Sequence, residues 1–569
     1  MLRALYPFII LICFIPTIPG VVGVIASSFS YIPPINMHTL SFLGFQWVFE
    51  WQGVWQSIGL SLFSALASSY LAALLSFAIL LSCWGKPFWN KIELALSPLL
   101  ALPHVAFAIG FAFLFAPTGL ISRVLFNSVG YDVNQQTVND LPLLVNDPYA
   151  IGLVVMLALK EIPFLLLMSM SILKQMNVDQ LEKVTASLGY NRAQTWWKCI
   201  FPQWIRKMRF PLLAVLAYSL SVVDIALIIG PTNPPTFAVL VWQWFSDPDL
   251  TLLPRAAAGA MVLFLLASLL MGFARLFEWV FIHGLRGWQF SGRYGQSLGG
   301  KPVLVAVFAL SMLIIPLTVV WSFAQRWRFP DLLPSNFTTR YWQYEWFGLL
   351  GNILQSLTLA LACASMALML AVIAHEYRLK HRWALSDYLI AIPMLIPQLS
   401  ILFGIQIITL YINQSSYFLW TLWSHVFFAF PFVYLSLDGA WRSYNSNLTK
   451  SALSLGKHPI SVWWKIKMPL LFPSLIFAWA IGASVSLAQY LPTLMLGAGR
   501  ITTVTTEAVA LSSGFDRRVT AIYALWQMLL PLLFFSAAIL LSRFSVRSRK
   551  LSNKGLLPNE SLSQKPFHH

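Results

Sequence analysis

Apolar runs of about twenty residues, the length a helix needs to cross a hydrocarbon core, recur along the whole of this chain, each flanked by a short segment that collects charge. Lipid must be the main solvent for such a sequence. The composition agrees, because 58% hydrophobic against 10% charged residues is more apolar surface than a water-soluble protein of 569 residues could hide. The expected fold is an all-α integral membrane protein with about twelve transmembrane helices. Spans are expected near 7–29, 57–82, 92–115, 149–173, 210–232, 254–274, 302–323, 350–374, 387–411, 416–437, 471–495 and 520–541.

An even number of spans leaves both termini on one side, and the Lys/Arg distribution assigns that side to the cytoplasm. Positive charge collects at Lys86 and Lys91, across 174–209, from Arg275 to Lys301, from Arg378 to Arg382, from Arg442 to Lys467 and in the tail. The opposite segments are poorer in it, with Arg123, Arg255, Arg326, Arg328, Arg340, Arg500, Arg517 and Arg518 as the exceptions. This asymmetry accounts for the net charge of +17. Charge spread over short loops between spans faces membrane lipids, whereas a nucleic-acid binder gathers it on one soluble surface. The expected location is therefore a membrane, with both termini in the cytoplasm, and no nucleic acid is expected as a partner. Cys13, Cys83, Cys199 and Cys363 are far apart, which gives no support to a disulfide or a metal site. The first apolar run is longer than a typical signal peptide and is expected to stay as a helix.

The chain also repeats itself. Ser187-Leu188-Gly189, Trp196-Trp197-Lys198 and Pro202 return as Ser454-Leu455-Gly456, Trp463-Trp464-Lys465 and Pro469, all displaced by 267 positions. Seven identities at fixed spacing are hard to obtain by chance. Pro163-Phe164 answers Pro431-Phe432, Pro103 and Gly110 answer Pro397 and Gly404, and Gln56-Ser57 answers Gln355-Ser356, in unbroken order. Each repeat then holds six spans with its long loop on the cytoplasmic side, so the two are parallel about an axis normal to the membrane. The expected domains are 1–286, with core 57–274 and loop 174–209, and 287–541, with core 350–541 and loop 438–470. A basic cytoplasmic tail, 542–569, follows.

The loops are too long for simple turns. Residues 179–188 and 447–455 read as short helices, ended by Gly189 and Gly456, and 193–200 and 460–468 read as second short helices. Pro202 and Pro469 are expected to mark where the chain turns back toward the membrane. Trp196, Trp197, Trp463 and Trp464 either fill an apolar cleft of a partner or anchor the knob among headgroups, and their preserved spacing favours the partner.

In this spacing the loops resemble the EAA loop of binding-protein-dependent ABC importer permeases, a Glu-Ala-Ala run followed by a glycine and, further on, Ile-x-Leu-Pro. The copies read EKVTASLGYNRAQTWWKCIFP from Glu182 and TKSALSLGKHPISVWWKIKMP from Thr449. At the family's glutamate this chain has Lys183 and Lys450, with Glu182 beside the first, and Val184-Thr185 and Ser451-Ala452 stand at the alanines. The resemblance covers nearly the whole chain and implies a fused form of the type I, MetI-like permeases, akin to those of ferric-iron, thiamine and sulfate importers. It implies two cytoplasmic ABC ATPase subunits and a periplasmic solute-binding protein as partners, with each loop seated on one ATPase.

No GxxxxGK[ST] loop is present, so ATP belongs to the partner subunits and no cofactor is expected on this chain. The energy would arrive as motion of the loops that rocks the repeats. Polar residues within spans tend to face an interior, which makes Lys160, Glu161, Asp224 and Gln489 candidates for the translocation path. Lys160 and Glu161 point about 100° apart on a helix, so one is expected to face the cavity and the other the fifth span, unless both bridge neighbouring spans or the span boundary sets them near the headgroups. His425 is expected to serve a helix contact. Pro103, Pro163, Pro397 and Pro431 are expected to kink their helices at matched places. The competing readings are a secondary transporter, which would have only Glu161 and Asp224 as deep carboxylates, and a membrane enzyme, for which no catalytic cluster stands near an interface.

Overall fold

The computed structural model describes residues 17–92, 102–130, 144–284, 286–292, 294–380, 387–410, 416–514 and 516–554, with isolated positions at 6, 7, 9, 11, 96 and 99. Parts of the expected spans 7–29 and 92–115, the hairpin at 411–415 and the tail beyond 554 lie outside the described residues. The described chain is almost wholly helical. The principal helices are α1 (Thr17–Ser28), α2 (Val54–Cys83), α3 (His104–Phe115), α4 (Ile151–Gln175), α5 (Arg209–Ser221), α6 (Leu253–Gly284), α7 (Gly300–Phe323), α8 (Arg340–Lys380), α9 (Gln398–Thr409), α10 (Tyr417–Ser443), α11 (Met468–Ala488) and α12 (Arg517–Lys554). Strands β1 (Ala324–Arg326) and β2 (Asn336–Phe337) form a small antiparallel pair.

Nine helices among the described residues are long and apolar enough to cross a bilayer, and α1, α5 and α9 are shorter apolar helices. The outward side of α6 shows why lipid is needed, since Leu265, Leu269, Phe273, Leu276 and Val280 are all exposed. A stripe of this kind is unfavourable in water and ordinary against acyl chains.

The helix that precedes each set of matched residues packs against helices of the other set. Helix α1 packs on α9 as well as α6, and α7 packs on α2 and α3 as well as α12. The matched glycines sit at these crossings. A Cβ on Gly404 of α9 would stand 1.6 Å from the Gly20 carbonyl oxygen of α1, and one on Gly110 of α3 would stand 2.2 Å from Cγ2 of Ile314 in α7. Small residues let backbones meet where no hydrophobic effect drives helices together in lipid.

Two of the expected spans prove to be broken. Helix α5 stops at Ser221, Val222 is extended (φ −67°, ψ 127°), and the chain resumes as the short helix Asp224–Ile229. Helix α11 stops at Ala488, Gln489 is extended (φ −74°, ψ 115°), and Leu491–Gly497 follows. The breaks are 267 positions apart, like the loops. In a continuous helix the ring of Pro492 would strike the carbonyl of Ala488, four residues earlier, whereas in the first turn of a new helix it is tolerated. In the first repeat the carboxylate of Asp224 opens the new helix, where helix-end amides favour negative charge.

Prolines also correct the expected span 387–411, which is interrupted: a short helix Asp387–Ile390 and a 3-10 turn Ile392–Met394 precede Pro397, and the longer helix begins at Gln398. Pro397 caps α9 as Pro103 caps α3, so this pair starts helices instead of kinking them. Pro163 and Pro431 do lie inside α4 and α10.

Candidate functional site

Both long loops carry the same backbone. Helix Val178–Ser187 leads to Gly189 at φ 78° and then to Arg192–Thr195, and helix Ser446–Ser454 leads to Gly456 at φ 76° and then to Pro459–Val462. That left-handed conformation costs an L-residue about 1–2 kcal/mol, which is why glycine stands at both corners.

The tryptophan pairs open five-residue π-helical turns, Trp196–Ile200 and Trp463–Lys467, which run straight into Phe201–Lys207 and α11. Pro202 and Pro469 therefore do not turn the chain back as expected, but sit in the first turn of the following helix. The amides of Phe201 and Met468 reach back to the carbonyls of Trp196 and Trp463. The widened turn gives room to a ring that would collide with a carbonyl in a regular α-helix.

Most of the tryptophans are engaged within the chain. Trp196 is fully buried and its Nε1 donates to Glu182 Oε1 at 2.6 Å, and Trp197 donates to the Gln296 carbonyl at 2.8 Å. Trp463 is half-buried, while Trp464 is 58% exposed and Lys450 is exposed as well. The apolar side chains shown at both tips are Leu188, 61% exposed, and Leu455, 79% exposed, each just before its glycine.

The loops are fastened to their helices by different chemistry. In the first repeat the buried Phe77 of α2 packs on Trp196, Trp197, Phe201 and Trp204, beside the fully buried Ile200. In the second, Glu376 of α8 accepts from Lys467 Nζ at 2.5 Å and from Trp441 and Trp463 Nε1 at 3.3 Å each. Both members of this ion pair are buried. Glu376 stands 299 positions after Phe77 and Lys467 stands 267 after Ile200, the offsets of their respective segments. An apolar pair in one repeat is thus replaced at both positions by an ion pair in the other. Glu376 also supplies the carboxylate for the leading tryptophan that Glu182 supplies in the first loop. Neither Glu376 nor Phe77 was marked from sequence, although extending the offset of Gln56 and Gln355 along the helix sets them opposite each other.

Within the membrane region, buried Lys160 donates Nζ to the Leu99 carbonyl at 3.0 Å, and Glu161 lies 3.1 Å from His104 Nε2. Both reach the same neighbouring stretch, which is a bridge between spans and not the division between cavity and fifth span. His425 joins Ser486 at 2.8 Å and Thr493 at 2.9 Å, and Gln489 donates to its carbonyl at 3.1 Å, so these groups tie α10 to the break after α11. Asp224 differs from the rest. It is half-buried, and no ion pair among the described residues engages it. His104, Tyr218 and Tyr490 lie within electrostatic reach, the last from the second repeat's break.

Duplicated knobs on a polytopic helical bundle point to a class. The chain belongs to the permease family of bacterial ABC importers, as a multi-pass inner-membrane protein whose role is transport. It is 32% identical over 492 residues, covering 84% of this chain and 88% of the relative, to the inner membrane ABC transporter permease protein YnjC of Escherichia coli (strain K12). Shorter stretches resemble the spermidine/putrescine transport system permease protein PotC of the same strain, 26% identical over 34% of this chain and 74% of that protein. A segment covering 14% of this chain is 30% identical to 29% of the molybdenum transport system permease protein ModB of Mycobacterium tuberculosis. No protein-family model matches the chain. Membership of this family implies a cognate ATPase and a solute-binding protein as partners.

Proposed function

We propose that this single chain forms both transmembrane halves of an ABC importer, with twelve spans in two parallel sets of six. Helices α1, α5 and α9 complete the set begun by the longer ones. The halves are 1–286 and 287–541, followed by the tail 542–569, and both termini lie in the cytoplasm. Two copies of the ATPase dock on the knobs at 174–209 and 438–470, and a periplasmic binding protein delivers the solute. The observation that carries this reading is the recurrence of one loop backbone, glycine corner to π-turn to proline, at a constant offset of 267.

Leu188 and Leu455, with Trp464, are the apolar groups offered to the ATPase. Glu182, Gly189, Trp196, Trp197 and Pro202, and Lys450, Gly456, Trp463 and Pro469, hold the shape behind them. Replacing Gly189 and Gly456 together with valine forces a β-branched residue into the left-handed region twice, at about 1–2 kcal/mol each or more. The doubly substituted chain is expected to insert normally and to lose its ATPase. Undiminished co-purification of the ATPase would refute the docking assignment.

Of the four polar candidates, Asp224 is the group most open to a passing solute, while Lys160, Glu161 and Gln489 brace the spans around it. The relatives are named for molybdenum and for polyamines, so the shared bundle does not by itself choose the solute. In a variant without the native cysteines, Asp224→Cys is expected to react with a membrane-impermeant thiol reagent at least tenfold faster than Lys160→Cys. Equal, negligible labelling of both would remove Asp224 from the path.

A further inference from the structure

We propose that the cavity where Lys86, Arg192 and Lys301 converge binds a phosphate oxyanion at the cytoplasmic border of the membrane, bridging the two repeats. The cavity holds about 310 Å³ and no carboxylate lines it. Its cations come from separate parts of the chain. Lys86 follows α2, Arg192 begins the second helix of the first loop, and Lys301 lies in the first turn of α7.

The two lysines there have no carboxylate partner among the described residues. Lys86, Arg192 and Lys301 line one cavity, close enough for the fields of Arg192 and Lys301 to act on the Lys86 ammonium. Burial, and after it the fields of Lys301 and Arg192, hold the Lys86 ammonium below its ordinary value. Arg192 donates to the carbonyls of Leu81 and Trp84 at 2.8 and 2.6 Å. Its nearest carboxylate, Glu182 at 3.8 Å, already accepts from Trp196.

Neutral contacts keep these like charges together. Ser82 Oγ donates to the Leu298 carbonyl at 2.7 Å and accepts from the Gly300 amide at 3.0 Å, which fixes α7 against α2. A phosphate group offers several acceptor oxygens to cations arriving from different directions and relieves their repulsion. The phosphate belongs either to an anionic phospholipid, whose chains have the exposed Val305 of α7 beside them, or to a soluble ester. Either would fix the first docking loop relative to the second repeat, because both contribute cations.

The test uses the full chain in neutral detergent, with short-chain phosphatidylglycerol, short-chain phosphatidylcholine and inorganic phosphate as probes, read by native mass spectrometry and thermal shift. Phosphatidylglycerol is expected to bind, and Lys86→Gln with Lys301→Gln is expected to weaken it roughly 30-fold, at the contribution usual for a lysine near an anionic surface. Lys86→Arg with Lys301→Arg is expected to retain it, which separates charge from folding. Binding of phosphatidylglycerol but not phosphate assigns the site to lipid, and comparable binding of phosphate assigns it to a soluble ester. Equal binding of phosphatidylcholine, or unchanged binding by the glutamine variant, would overturn the proposal. So would loss of ATPase co-purification in that variant with probe binding intact, which would give these cations to a protein partner.

Discussion

Gly404→Val is expected to remove the folded protein from detergent extracts, leaving no monodisperse peak on size-exclusion chromatography. The added Cβ would stand 1.6 Å from a backbone oxygen of α1, and the neighbouring crossing at Gly23 is also backbone on backbone, since a Cβ built there would stand 2.7 Å from the Gly404 carbonyl oxygen. Overpacking a core usually costs about 1–3 kcal/mol because side chains can shift. Here no side chain can yield, so the helices must separate and the cost exceeds that range. Gly110→Ala, at the matched crossing, meets the side chain of Ile314 instead. It is expected to fall within the usual range and to yield folded protein with a lowered melting temperature. Wild-type elution and melting of Gly404→Val would show that α1 does not pack on α9.

Glu376→Ala has the second large effect. It leaves Lys467 buried without its partner, a change worth about 3–5 kcal/mol when a buried pair is broken from one side. The melting temperature should fall and ATPase association should weaken, with the damage centred on the second loop. Glu376→Phe combined with Lys467→Ile installs the residues of the first repeat and should recover much of the loss, since apolar replacements of buried ion pairs are often neutral. Recovery stays incomplete because the indoles of Trp441 and Trp463 lose their acceptor, at about 1–3 kcal/mol for each buried donor left unsatisfied. A double variant less stable than Glu376→Ala would mean that the two repeats do not share this packing position.

The sequence made some of these features plain and hid others, for physical reasons. Gly189 and Gly456 could be read as corners because only glycine takes a left-handed backbone without penalty, and their recurrence with tryptophan and proline marked the loops. Apolar run length located the membrane helices for the same reason, since lipid imposes it on every span. The breaks at Val222 and Gln489 could not be seen in that signal, because hydropathy reports the composition of a run and not its backbone conformation. Pro103 and Pro397 were misread as kinks because a proline's effect depends on whether it falls in the first turn or the interior of a helix. That Trp196, Trp197 and Trp463 are engaged within the chain could not be read in advance, because their acceptors stand elsewhere in the sequence. Glu376, which receives Trp463, lies 87 positions away on another helix.

The exchange of opening helices between the repeats limits how the bundle can move. Where α1 meets α9 the chains touch through main-chain atoms, and sliding one along the other would drive Ile401 or Ile405, which already flank Gly20, into the neighbouring backbone. Rotation about the contact keeps it intact, so the crossing acts as a bearing that permits pivoting and resists shear. A stroke delivered at either cytoplasmic loop would then swing both arms about fixed fulcrums near Gly404 and Gly110, and neither arm could travel alone.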